Sequence, residues 1–235
     1  MTDRSRTDMQ ARQDKIAVER ARVVALWQQR VRNMPQAQRI LDDLLATYDK
    51  MLYDAKETRA TRAKLRADEV TKPEVLQRRH GEAREAGDQQ FAASVRAADA
   101  LRTSLVTLMK AVATPQIPAG REAAARQELY MLVKNSPDPE LAMREAVQRG
   151  GELAAVAASS YGESLLRAQG AHKPVEAHKA IVDVARAVAI KSDDPTTREA
   201  AEVLRAIDGP EGLDAMHVPS LALARWDLEA AETGE

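Results

Sequence analysis

The chain contains one small group of residues with the chemistry of metal ligands: His172, Glu176 and His178. Residues four apart share a face of a helix, so His172 and Glu176 lie side by side. His178 points about 160° away from Glu176 on the same helix, whereas the ligands of one zinc ion must converge on it. We therefore expect His178 to be a core or interface histidine, and we assign no metal and no cofactor to this chain.

Paired carboxylates and one hydroxyl-rich segment are the other candidates for chemistry. Asp42 and Asp43 lie beside an apolar helix stripe, and we expect them in solvent. Asp193 and Asp194 precede a proline, where helix capping explains them. The segment SSYGES at 159–164 offers hydroxyl groups, but no motif places a general base beside them. Because the motifs of phosphate-binding loops, dinucleotide-binding folds, serine hydrolases and zinc proteases are also missing, the sequence predicts that the protein is not an enzyme.

The composition predicts an all-α protein. Only 3% of the 235 residues are aromatic and none is cysteine, so a core must be built mainly from Ala, Leu, Val and Met. Alanine, leucine, arginine and glutamate are the strongest helix formers, and the alternating β-branched runs that indicate strands are missing. The absence of cysteine also excludes disulfides and thiol catalysis.

The first half of the chain reads as long helices over residues 9–33, 36–70 and 74–113. In the second of these, apolar residues recur at spacings of 4-3-4-3, which is typical of a coiled-coil seam, and the later part of the third repeats the pattern. An antiparallel hairpin would bring the apolar ends of both helices together, and pairing with a second copy is the alternative. The predicted seam or interface residues are Leu41, Leu44, Tyr48, Met51, Leu101, Leu105 and Leu108.

The polar middle of this hairpin, residues 62–90, is expected to form an exposed tip. Two glycines there, Gly81 and Gly87, each cost about 1 kcal/mol relative to alanine inside a helix. We therefore expect the third helix to kink or restart near them.

The second half reads as a bundle of shorter helices. Two prolines and a glycine in the segment ATPQIPAG mark a boundary, because they cannot continue a helix. We predict a long-helix region at 1–113, a linker at 114–120 and a short-helix bundle at 121–235. Four prolines follow residues suited to capping and are expected to begin helices: Pro139, Pro174, Pro195 and Pro219.

Charge is distributed unevenly along the chain. Residues 1–110 carry 22 Lys and Arg against 16 Asp and Glu, whereas residues 111–235 carry 13 against 20. A solvated helical surface explains this pattern, and attraction between the halves or between copies is the alternative. Basic residues along the first helix and the hairpin could contact phosphates or acidic partners. These residues are Arg12, Lys15, Arg22, Arg30, Arg78 and Arg79.

The long helices and the missing catalytic motifs predict a structural or assembly protein. It would act through helix-mediated contacts with protein partners or with itself as a homo-oligomer, as a scaffold, a virion component or an adaptor. One alternative is a nucleic-acid-associated regulator that uses the basic first half, and another is an enzyme with a helical active site near His172 or Tyr161. The polar start of the chain and the lack of long apolar runs predict no signal peptide and no membrane span. We expect a location in the cytoplasm or in an intracellularly assembled particle.

Overall fold

A computed structural model describes residues 3–207 and 209–233 of the chain. This part forms ten α-helices and one short 3₁₀ helix without any strand, which confirms the all-α prediction. The helices are α1 (Asp3–Arg30), α2 (Pro35–Arg66), α3 (Pro73–Ala113), α4 (Glu122–Lys134), α5 (Pro139–Arg149), α6 (Gly151–Ala158), α7 (Ser160–Ala168), α8 (Pro174–Val188), the 3₁₀ helix (Ala189–Lys191), α9 (Pro195–Ile207) and α10 (Asp214–Thr233).

Proline marks the start of five of these helices, because its fixed φ and missing N–H suit the first turn. Asp138 caps α5 by accepting hydrogen bonds from the backbone amides of Glu140 and Leu141. The prediction for Pro219 was wrong, since this residue lies inside α10. The third helix does not restart near Gly81 and Gly87, because α3 is continuous from residue 73 to 113, whereas a kink there stays a prediction.

The chain divides into two compact units, and the first of them is discontinuous in sequence. The first unit combines the described residues up to Leu105 with those from Ile207 onward, and the second runs from Val106 to Ala206. This division differs from the predicted boundary, since the segment 114–120 lies inside the second unit. Helix α10 consequently belongs to the same unit as α1 and α2.

Helix α10 runs parallel to α2 and packs against it more extensively than against any other helix. Tyr48 contacts His217 near the start of α10. Further along both helices, Arg59 forms an ion pair with Asp227. Because both contacts advance in the same direction, the two helices are parallel.

Helix α10 runs antiparallel to α3. Arg102, late in α3, forms an ion pair with Asp214 at the start of α10. The guanidinium of Arg225 lies over the ring of Phe91, which comes earlier in α3. The order of these contacts is reversed between the two helices, so α3 is antiparallel to both α10 and α2.

Helix α1 is antiparallel to α10 and packs along it. Arg20 bonds Ser220, whereas Trp27, later in α1, bonds the carbonyl of Glu211, which precedes α10. The first unit is thus built from α1, α2, the first part of α3 and α10, with α10 in contact with the other three. Such a mutual arrangement is that of a helical bundle, in which α2 and α10 are parallel and α1 and α3 run in the opposite direction.

The apolar stripe of α2 packs chiefly against α10. We call its four predicted residues, Leu41, Leu44, Tyr48 and Met51, the α2 seam, and all four are almost completely buried. The direct α2–α3 hairpin seam is not confirmed, because α10 packs along this face of α2. Arg62, expected at an exposed tip, is buried instead.

The second unit has its own apolar core. Helices α4, α5 and α6 pack on one another, and α8 packs on α5, α6 and α7. The core combines small and branched residues, as the composition predicted. Its fully buried members include Leu129, Met143, Val156, Leu166 and Ala185.

Candidate functional site

A buried histidine joins three helices of the first unit. His217 on α10 is only 8% exposed, and its Nδ1 lies 2.8 Å from the hydroxyl of Tyr48 on α2. Its Nε2 lies 3.7 Å from Oδ1 of Asp99 on α3. We call these residues, together with Arg102 and Asp214, the His217 cluster.

The charges around His217 act in opposite directions. Asp99 and Asp214 favour the imidazolium, whereas Arg102, which forms ion pairs with both carboxylates, disfavours it. Burial is the largest influence, and together with Arg102 it holds the pKa of His217 below its ordinary value. Burial also raises the pKa of the Tyr48 hydroxyl, which therefore stays protonated at neutral pH.

A second polar contact lies one helical turn further along α10. Ser220 is fully buried, and its hydroxyl accepts a hydrogen bond of 2.8 Å from Nε of Arg20 on α1. The same hydroxyl donates to the carbonyl of Met216, which is the bond that a serine commonly makes inside a helix. Arg20 also pairs with Asp49 on α2 at 2.8 Å. Arg20 therefore connects α1 to α2 and α10.

The residue Glu211, just before α10, is contacted from α1 at both its backbone and its carboxylate. Its carbonyl accepts hydrogen bonds from Nε1 of Trp27 at 3.0 Å and from Arg30 at 2.9 Å. Its carboxylate pairs with Arg22 at 2.7 Å and with Arg30 at 3.5 Å. Arg22 also pairs with Glu19, and hydrogen bonds to these two carboxylates raise the pKa of its guanidinium.

The predicted seam residues differ in burial and in the unit to which they belong. Leu105 is fully buried like the α2 seam, whereas Leu101 and Leu108 are half-buried. Leu108 lies in the second unit, whereas the α2 seam lies in the first. Their role in an interface between molecules stays a prediction.

The predicted basic contact residues also differ in their surroundings. Four of them are exposed: Arg12, Lys15, Arg78 and Arg79. Of these, Arg78 forms an ion pair with Glu82 at 3.5 Å. Arg22 and Arg30 are tied to Glu211, as described above. The six side chains therefore do not form one surface of free cations, although contact with phosphates stays a prediction for the exposed ones.

The second unit contains an open cleft of about 540 Å³. The ends of α5 and α8 and the starts of α6 and α9 line it, together with the segment around Pro115. Two of its carboxylates are already bound: Glu152 pairs with Arg121 at 2.9 Å, and Asp194 caps α9. Arg149, Lys191 and Asp193 contribute charges of both signs, so the cleft has no single electrostatic preference.

The histidines of the second unit do not converge with carboxylates. Glu176 is exposed and pairs with Lys173 at 3.1 Å, and His172 is exposed as well. His178 is half-buried, and its Nε2 is buried without a hydrogen-bond partner among the described residues. Within the part of the chain that the structure describes, no three His, Asp or Glu side chains are placed to hold a metal ion.

The sequence reasoning missed α10 as the element that organises the first unit. Its buried positions follow the same 4-3-4-3 spacing as the α2 seam, but polar residues occupy several of them. The series is Leu213, His217, Ser220, Ala224 and Asp227, all of which are buried. The 4-3-4-3 spacing could have identified α10 as a packed helix, but polar residues at several of these positions made the pattern hard to recognise.

Across residues 3–207 and 209–233, no helix combines the length and apolar character that a membrane span requires. Comparison with protein-family models, with curated proteins and with solved structures found no match to this chain.

Proposed function

We propose that this protein is a structural or assembly protein without enzymatic activity, which acts through helix-mediated contacts with a second copy of itself. The observation that supports this proposal is a set of exposed apolar side chains on two helices of the second unit. Its members are Tyr130 and Met131 on α4 and Leu141 on α5, which are 37%, 49% and 52% exposed. We call these three residues the α4–α5 surface.

Helix α4 carries apolar side chains on more of its circumference than the core of the second unit requires. Leu129 and Val133 are fully buried and already attach the helix to that core. Tyr130 and Met131 point elsewhere, and Met131 lies within one turn of the loop that leads to α5. Leu141 lies within one turn of the same loop on its other side, so both helices present apolar side chains at this end.

Exposed apolar side chains favour association, since removing their surface from water is worth about 25 cal/mol per Å². A second copy is a suitable occupant because a two-fold interface places the same patch on both partners. Apolar side chains are compatible with copies of themselves, whereas a patch of one charge sign would repel its copy. The α2 seam, by contrast, is covered by α10 and is not open to a partner in this arrangement.

The proposal is tested by measuring absolute mass with light scattering after size exclusion, over a wide range of protein concentration. We expect the wild type to exceed the chain mass of 25.8 kDa in discrete multiples. The double variant Met131→Lys/Leu141→Lys is expected to elute as the monomer, because two charges would be buried without partners.

The control is Val18→Lys, which places a lysine at another exposed apolar position, in the first unit. This variant should behave as the wild type does. A wild-type protein that stays monomeric at every concentration contradicts the proposal. Loss of the oligomer between about 50 and 200 mM salt would also contradict it, because screening weakens charge pairs and not apolar contacts.

A further inference from the structure

Helix α10 packs on the apolar α2 seam and also brings polar residues into its contacts with the rest of the first unit. Six polar or charged residues are buried in the described part of the chain, and three of them lie on this helix: His217, Ser220 and Asp227. A buried polar group stabilises the folded state only while its partner is present, and it costs about 1–3 kcal/mol when the partner is lost. The attachment of α10 therefore depends on whether these groups keep their partners.

We propose that α10 is an acid-sensitive strap, which is held over the α2 seam while His217 is neutral and is released when His217 is protonated. The proposal goes beyond self-association through the α4–α5 surface, and the two are independent. Release would uncover the α2 seam, whose four residues are otherwise buried.

The contact between Tyr48 and His217 satisfies the hydroxyl proton of Tyr48 only when the imidazole is neutral. An Nδ1 without a proton can accept from the hydroxyl, whereas an Nδ1 that carries a proton donates to the hydroxyl oxygen. Protonation turns Nδ1 into a donor, so the hydroxyl must rotate and lose its acceptor. No other hydrogen bond of this hydroxyl is present among the described residues, and Tyr48 is fully buried. Protonation therefore leaves an unsatisfied polar group in the centre of the interface.

The charged groups that face His217 from the neighbouring helices only partly compensate. Asp99 on α3 would attract the imidazolium, but at 3.7 Å it is too distant for a hydrogen bond, and it is half exposed to solvent. Arg102 on the same helix repels the imidazolium of His217. Asp214 on α10 would attract it, but Asp214 already forms an ion pair with Arg102. On the α1 side, Arg20 adds a further positive charge, which Asp49 balances.

These opposing effects determine the sign of the pH dependence. The pKa of His217 lies below its ordinary value of about 6.5, and burial is the main cause. The unfolded or detached helix therefore binds protons more readily than the docked one. The attachment has its full strength above about pH 6.5 and weakens as the pH falls below that value.

One feature weakens α10 internally. Pro219 lies inside the helix, so the backbone hydrogen bond that an N–H at this position would donate is missing. The segment before the helix stays attached to α1, because Trp27, Arg30 and Arg22 bind Glu211.

The test is hydrogen–deuterium exchange of the full-length protein at about pH 7.5 and pH 5.5, corrected for the intrinsic pH dependence of exchange. In the wild type we expect the protection of α10 to fall by up to about tenfold. This limit follows because a free histidine, with a pKa of about 6.5, has about ten protonated rings for each neutral one at pH 5.5. Peptides from α4 and α5 should show no such fall. In His217→Gln the fall should disappear, because a glutamine oxygen can accept from Tyr48 but does not titrate.

The control variant is His172→Gln, which removes an exposed histidine and should keep the wild-type response. An equal loss of α10 protection in His217→Gln and the wild type overturns the proposal. Should His217→Gln fail to fold, Asp99→Asn is the second variant. It removes a carboxylate that favours the imidazolium, so the loss of protection must be at least as large as in the wild type. A smaller loss overturns the proposal.

Discussion

Gly87 of α3 faces Thr58 of α2 so closely that a methyl group on the glycine would lie 2.8 Å from Cγ2 of the threonine. The same methyl would lie 3.4 Å from Cδ2 of Leu228 on α10. Three helices of the first unit therefore approach one another at this glycine. Thr58 cannot easily give way, because its hydroxyl donates a 2.9 Å hydrogen bond to the carbonyl of Asp54.

This contact predicts opposite effects for the same substitution at two glycines of α3. Gly87→Ala should destabilise the protein by about 1–3 kcal/mol, the usual cost of overpacking. Gly81→Ala should stabilise it by up to about 1 kcal/mol, because nothing lies within 4 Å of the added methyl and alanine favours the helix. Urea unfolding of both variants measures the difference.

A double variant separates steric crowding from any other effect at Gly87. Thr58→Ala removes the two atoms that the new methyl would approach most closely. We expect Gly87→Ala to cost less in the Thr58→Ala background than in the wild type. Equal costs in both backgrounds would contradict the crowding of this pair.

The hydrogen bond of Tyr48 predicts the cost of removing one hydroxyl group. Tyr48→Phe leaves Nδ1 of the buried His217 without its hydrogen-bond partner, so the free energy of unfolding should fall by about 1–3 kcal/mol at neutral pH. Tyr53→Phe is the control, since Tyr53 lies on the same helix and is 63% exposed. Denaturant unfolding at pH 7.5 compares them, and equal values would argue against a buried hydrogen bond.

The α2 seam predicts a graded response to truncation of leucines. Leu44→Ala should cost about 2–5 kcal/mol, because Leu44 is completely buried and a cavity would remain. Leu101→Ala, at a half-buried position of α3, should cost clearly less. Thermal and urea unfolding of both variants supply the comparison, and a cost for Leu101 equal to that for Leu44 would be inconsistent with their burial.

The cap of α9 predicts a pH-dependent contribution to the stability of the second unit. Asp194 accepts hydrogen bonds from the hydroxyl and the backbone amide of Thr197, which hold the pKa of its carboxyl below the ordinary range. Asp194→Ala should therefore cost about 1 kcal/mol at neutral pH. The adjacent variant Asp193→Ala is the control and should be nearly neutral, because Asp193 is exposed.

The sign of this pH dependence follows from the lowered pKa. The carboxylate of Asp194 contributes its full stabilisation above about pH 4, where the group is ionised even in the unfolded chain. The contribution is lost as the pH falls further, through the pKa of the folded state. The difference between the wild type and Asp194→Ala should shrink over that interval, and a constant difference would contradict the role of the charge.

The all-α fold and most helix starts could be predicted because they depend on local chemistry. Pro139, Pro174 and Pro195 each begin a helix, and the spacing from Leu41 to Met51 identified a buried face. These features require only propensity and periodicity, which a single sequence carries. Pro219 was misread because a proline in the first turn of a helix and a proline inside a helix give the same local sequence signal.

The partner of the α2 seam could not be predicted from the same pattern. Periodicity identifies a buried face but does not say what covers it, and the nearest candidate in sequence was α3. The helix that packs there most extensively, α10, has His217, Ser220 and Asp227 at its buried positions. Its attachment depends on pairing with Tyr48, Arg20 and Arg59, which is visible only when all the helices are in place.

The discontinuity of the first unit has a consequence for the order of events during translation. Tyr48 and His217 are separated by 169 residues, and the whole second unit is encoded between them. At roughly 5–20 residues per second, α10 emerges on the order of ten to thirty seconds after the α2 seam has been synthesised. The second unit has the time to fold on the ribosome first, while the apolar face of α2 stays uncovered until α10 has been synthesised. A nascent chain of this protein is therefore most exposed to aggregation and to chaperone binding through its N-terminal helices.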